Sequence, residues 1–293
     1  MTAKAAKPST SKAKTAKSKA TAAKPAATNK TVKAVAAKKS GVSLPGWNLR
    51  LGIVLAVLAV LVVVFGSSKS VPLTTQYLSK DTLATEVSKQ DVLATATRHL
   101  ADVHVSWLVA AFLLAFAATF LLVATVWRKH YENWLARGVN KLRWIGFGVG
   151  TGLMAVTVAM LSGIADLGYL FLIFSSLAVL GALATTVELI GIGRRLRKFD
   201  IITALFTAAL PVIAIALTLV GVLMWDGSLP TYVYFVYLTM FLFAGAAAAA
   251  CIMRLRKLGK WADTTYSEKM FMGWGFAAAV VLALQVFAGA LQP

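Results

Sequence analysis

Residues able to do chemistry are few in this chain, and their spacing argues against most reactions. The one cysteine, Cys251, lies in an apolar run; alone it can form no intrachain disulfide or thiolate cluster, so it reads as a small buried hydrophobe. The three histidines are separated: His99 and His104 precede the second apolar segment, and His130 falls in a basic stretch after it, so no shared metal is expected. Among the acids, Glu188 ends an apolar run, Asp166 and Asp226 sit in tight turns, and Asp200 stands at a helix start, where an N-cap is one reading among others. No nucleophile–base pair, metal-ligand set or glycine-rich phosphate loop after a strand is found. The expectation is therefore no enzymatic activity, no metal and no cofactor.

These residues are spaced by elements that belong in a membrane. Of 293 residues, 59% are hydrophobic and only 14% charged, against about a quarter charged in soluble domains. Seven apolar segments stand out, at Leu49–Gly66, Ser106–Trp127, Trp144–Ile164, Leu167–Leu189, Ile201–Trp225, Tyr232–Met253 and Met270–Leu291. Each approaches the ~20 residues a helix needs to cross a bilayer, and only helices satisfy their own backbone there without closing a barrel. The expected fold is all-α: a seven-transmembrane-helix bundle over residues 45–293. Apart from Arg50 at the start of the first, no lysine, arginine or histidine lies inside these segments, which argues against an ion path.

The formal net charge of +19 is unevenly placed. Residues 1–40 hold eleven lysines and no acid. Residues 1–44 read as a disordered, Lys/Ala-rich tail, which could touch nucleic acid, lie on anionic lipid or a cytoplasmic protein partner, or merely solubilise. Basic residues also follow the second segment (Arg128, Lys129, Arg137, Lys141, Arg143), the fourth (Arg194, Arg195, Arg197, Lys198) and the sixth (Arg254, Arg256, Lys257, Lys260, Lys269). With seven spans these share one side with the tail, whereas in the 67–105 loop four basic and four acidic residues cancel. The positive-inside rule then puts the N-terminus in the cytoplasm and the C-terminus outside, in a multi-pass protein of the cell membrane. Within the loop, Val71–Tyr77 has strand character and Thr82–Leu100 alternates at near-helical spacing, so a hairpin and an interfacial helix both remain open.

Inside the spans the polar residues are mostly hydroxyls (Thr157, Ser162, Ser175, Ser176, Thr185, Thr186, Thr203, Thr207, Thr218, Thr239), which can bond to their own helix. Gln285 is different: a buried primary amide needs partners, and helix-to-helix glue and a ligand contact both fit. Pro211 should kink its helix. Gly146 with Gly150, and Gly148 with Gly152, form two small-xxx-small pairs, and Gly245–Ala250 offers a second smooth face. Such faces pack within a bundle or form a homodimer.

The runs LVAAFLLAFAATFLLVATVWRKHYENWLARGVNKLRW (Leu108–Trp144), GLMAVTVAMLSGIADL (Gly152–Leu167), LPTYVYFVYLTMFLF (Leu229–Phe243), GKWADTTYSEKMFM (Gly259–Met272) and ALQVFAGAL (Ala283–Leu291) resemble the heliorhodopsins. The likeness covers about residues 45–291. It implies seven helices, a cytoplasmic N-terminus, an external hairpin between the first two spans and a tendency to dimerise. It also implies a retinal Schiff base on a last-helix lysine, but the matching residue here is Ala279; the counterion glutamate is matched by Gly146, and two pocket histidines by Leu55 and Phe120. Without an amine no imine forms. Retained residues such as Trp144, Glu188, Trp261, Tyr266, Glu268 and Gln285 would keep the bundle, Glu188 by bonding near the Arg194–Lys198 loop and Trp261 and Tyr266 as interfacial anchors. Two expectations follow: a retinal-free interaction, signalling or regulatory membrane protein, or a non-covalent binder or transporter of a carotenoid, retinoid or lipid. For the second, Leu55, Phe120, Gly146, Gly150, Pro211, Ala279 and Gln285 are the candidate pocket among surrounding membrane lipids.

Overall fold

The computed structural model describes residues 43–193, 198–225 and 227–291; the 1–40 tail, Arg194–Arg197 and Asp226 lie outside them. Among the described residues seven helices are long and apolar enough to cross a membrane: α1 (Leu44–Phe65), α3 (Val105–Ala124), α5 (Lys141–Leu161), α6 (Leu167–Gly193), α7 (Lys198–Met224), α8 (Thr231–Leu255) and α9 (Thr264–Val286, continued by a π-helical turn to Leu291). Between them come strand β1 (Ser70–Lys80), the short helix α2 (Thr82–Ser88), strand β2 (Leu93–His104) and helix α4 (Arg128–Ala136).

Several helices begin earlier than hydropathy indicates, because capping residues set the start. Ser43 accepts from Gly46 N with Pro45 in the first turn, so α1 starts at Leu44. Asn140 caps α5 and Asp263 caps α9. Asp200 falls inside the first turn of α7, which starts at Lys198, and is not its N-cap.

Packing follows small residues. Asn48, Gly52, Leu55, Ala59 and Val62 of α1 are buried at alternating spacings of three and four, while Val54, Val57, Val60 and Val64 are exposed. Helix α5 is held on two faces by its glycines. A β-carbon on Gly146 or Gly150 would collide with Thr119 or Phe116 of α3; one on Gly148 or Gly152 would press on Leu177 O and Ala178, or on Phe174, of α6. Gly181 of α6 completes this contact against the backbone of Trp144 and Gly148. Both glycine pairs thus pack within the bundle.

The 67–105 loop is a hairpin, with Ser70 opposite His104 and Lys80 opposite Leu93. Helical spacing in Thr82–Leu100 is realised only in α2; the rest is strand, satisfied by pairing with β1. The hairpin is fastened to the α5–α6 turn: Thr74 N donates to Ala165 O (2.8 Å) and Gln76 N to the Asp166 carboxylate (3.0 Å). Asp166 also caps α6 through Gly168 N (2.9 Å) and Tyr169 N (3.2 Å).

Because Gly181 meets backbone rather than a movable side chain, Gly181→Leu should destabilise the protein by about 1–3 kcal/mol. Gly245→Ala, with nothing within 4 Å of the added carbon, should be near neutral. Thermal unfolding of the two purified variants in detergent checks the contrast.

Candidate functional site

Two features could carry function: a buried charge cluster at the end of the bundle where α5 begins, called the basic end, and a cavity rising from it. Arg143 lies in the first turn of α5 and is 4% exposed. Its Nη2 donates to Glu188 Oε1 of α6 at 2.6 Å, and its Nη1 to Glu268 Oε2 of α9. Asn140 supports both carboxylates: its backbone N donates to Glu188 Oε2 (3.1 Å) and its Nδ2 to Glu268 Oε1 (2.6 Å). Tyr131 of α4 adds a donor to Glu268 Oε1 at 3.4 Å. Burial, reinforced by the Glu268 charge, pushes the Tyr131 phenol well above its ordinary pKa, so it remains a donor. The guanidinium of Arg143 lies 4.6 Å from the ring centroids of both Trp144 and Phe271.

Glu188 therefore pairs with Arg143 of α5, and Arg143, counted by charge as a loop residue, is buried. Sequence signals for it were present: two acids at the ends of apolar helices require a cation, and Asn140 stands at capping distance before Arg143. Trp261 packs edge-to-face with Tyr266 and Phe271, with centroids 5.6 and 6.0 Å apart. His99 bonds Asp102 in the hairpin, His104 stacks on Trp107, and His130 on Trp134. Among the described residues no three His, Cys, Asp or Glu side chains are grouped to hold a metal.

A partly open cavity of about 520 Å³ lies between α5, α6, α7, α8 and α9. Its wall is largely apolar, and Ala204, Ala208, Gly245 and Ala248 leave much of its width. Of the seven candidate pocket residues, Pro211 alone lines it. Leu55, Phe120 and Ala279, at 0%, 2% and 0% exposure, are core. Gly146 and Gly150 are covered by α3. Gln285 accepts from Thr239 Oγ1 (2.9 Å), so it joins α9 to α8. Most other span hydroxyls, Thr157, Thr185, Thr203 and Thr207 among them, bond back to their own helices. Gly245–Ala250, read as a packing face, opens instead toward this space through Gly245, Ala247 and Ala248.

The residues present do not fit a covalently bound retinal. Ala279 has no amine and is fully buried, and Gly275 one turn earlier rests on Phe147 and Phe116. Phe116, Phe120 and Phe147 pack with centroids 5.6 to 6.5 Å apart, filling the space between α3 and α5. Lys269, the one lysine of α9, is ten residues from Ala279, about 15 Å along the helix.

The heliorhodopsin family model matches residues 44–291. No curated protein matches the chain.

Arg143→Ala leaves Glu188 and Glu268 buried without their cation, and should cost about 3–5 kcal/mol. The triple variant Arg143→Met, Glu188→Gln, Glu268→Gln should recover much of that loss. Unfolding midpoints in detergent, compared among the three proteins, read the difference.

Proposed function

The chain belongs to the heliorhodopsin family, and on that premise we propose that it forms no retinal Schiff base and acts by interaction, as a signalling or regulatory membrane protein rather than an enzyme. The carrying observation is Ala279: it is fully buried, lacks an amine, and lies in a core closed by aromatic packing. The seven apolar helices make it a rhodopsin-like multi-pass membrane protein. Placing the basic end in the cytoplasm of the cell membrane follows from the positive-inside rule. There Arg128, Lys129, Arg137, Arg256, Lys257 and Lys260 are exposed, a surface suited to anionic lipid or an acidic protein partner. A second copy in the membrane is a further expected partner, as the family resemblance implies.

A second reading is favoured by the cavity. At about 520 Å³ it falls in the range of small-molecule sites, and its apolar wall suits a carotenoid, retinoid or lipid held without a covalent bond.

Incubating the purified protein with all-trans retinal should give no red-shifted protonated Schiff-base band. A visible pigment that borohydride bleaches would overturn the proposal. Deleting residues 1–40 should change which partners are crosslinked in membranes; unchanged recovery would remove the tail from the mechanism.

A further inference from the structure

The cavity has a direction, given by where its unspent polar groups lie. Along α8 its lining runs from Val236 to Leu255, a rise of about 28 Å at 1.5 Å per residue. That nearly matches the ~30 Å hydrocarbon thickness of a bilayer. Over most of this length the wall offers few hydrogen-bonding groups beyond the Trp274 indole and the Cys251 thiol. The Thr151 hydroxyl is spent on Phe147 O and that of Thr239 on Gln285.

The basic end differs. Glu188 lines the cavity, but both its oxygens are taken by Arg143 and Asn140, and those of Glu268 by Arg143, Asn140 and Tyr131. Two donors remain. The indole Nε1–H of Trp144, a lining residue, is buried with no acceptor. Arg254, also lining, donates to neutral acceptors: Trp261 O (3.2 Å), Ala262 O (3.4 Å), Gly138 O (3.2 Å) and Thr264 Oγ1 (3.3 Å). Among the described residues no carboxylate lies within salt-bridge distance of Arg254; Glu188, Glu268 and Asp263 act on its charge only from beyond that distance. Burying polar donors and charge without such partners is costly. Exposed Arg256, Lys257 and Lys260 add positive potential at the same end.

A long apolar slot closed by a cation with no carboxylate in contact and by an orphan indole N–H selects one kind of molecule. Deepening the second reading above, on which this rests, we propose that the cavity holds a single-chain anionic amphiphile of the fatty-acid class. Its carboxylate lies at Arg254 and Trp144, and its chain runs along α8 between α5 and α7. Small residues on α7 and α8 make room for the chain, and the surrounding bilayer supplies the ligand.

Native mass spectrometry of the full-length protein, released from detergent after incubation with oleate or methyl oleate, tests this. The two probes share a chain and a carbonyl; only oleate carries a charge. Wild type should retain oleate at a concentration about tenfold lower than methyl oleate, the scale of one charge-assisted hydrogen bond. Arg254→Gln should erase that preference. Trp144→Phe, which spares the Arg254 contacts, should narrow it, and Ala248→Phe should abolish retention of both probes. Equal retention of the two probes by wild type, lost in Ala248→Phe, would overturn the carboxylate assignment and leave the cavity reading standing. So would a preference untouched by both Arg254→Gln and Trp144→Phe. Retention of neither probe would overturn the cavity reading and this inference with it.

Discussion

An arginine buried where a helix enters a bilayer must find its counter-charges in the protein, because hydrocarbon offers none. Arg143 finds two, Glu188 on α6 and Glu268 on α9, and the structure at this end is arranged around that need. An unpaired ion in such a place costs several kcal/mol, so the starts of α5 and α9 and the end of α6 are drawn to one point. Asn140 does two jobs there: it caps α5 through Arg143 N (3.1 Å) and bonds both carboxylates. Trp144 and Phe271 flank the guanidinium with their rings, closing the cluster in aromatic surface.

With the starts of α5 and α9 fixed, the remaining packing divides into a tight side and a loose one. On the tight side α5 is clamped through its glycines by α3 and α6, and Phe116, Phe120, Phe147, Leu55 and Ala279 belong to the core. This is where the family resemblance locates photochemistry, and here it is solid packing. On the loose side Ala204 and Ala208 of α7 and Gly245 and Ala248 of α8 line the cavity, which lies between these helices and α5. Dispersion contacts fall steeply across such a gap, so the space is costly unless something apolar fills it.

Much of this was legible in the sequence. The seven spans follow from hydropathy and length, and the pairing of Gly146 with Gly150 and Gly148 with Gly152 follows from helical periodicity. Where sequence reading went astray, a physical reason can be named. Arg143 was counted as a loop charge because a hydropathy profile cannot separate a cation at a helix start that faces solvent from one that faces two glutamates on distant helices. The hairpin was undecided because α2 and the strands share the same polar–apolar alternation, and only the pairing of residues 70–80 with 93–104 resolves it. The cavity was misplaced for a subtler reason. Replacing Lys and Glu by Ala279 and Gly146 suggests lost volume, but Thr119 and the phenylalanines take it up, whereas Gly245–Ala250 of α8 reads as a packing surface until Gly245, Ala247 and Ala248 are found to line the cavity.

The central claim is that this scaffold is closed by charge and packing without a chromophore, its free volume displaced toward α7 and α8. An electron cryomicroscopy map of the full chain in lipid nanodiscs tests it most directly. The account predicts Arg143 between Glu188 and Glu268, side-chain density at Ala279 ending at the β-carbon, and open volume beside Ala204, Ala208 and Ala248. Density joining a chromophore to any lysine, or α7 and α8 collapsed onto α5 with Arg143 turned to solvent, would contradict it.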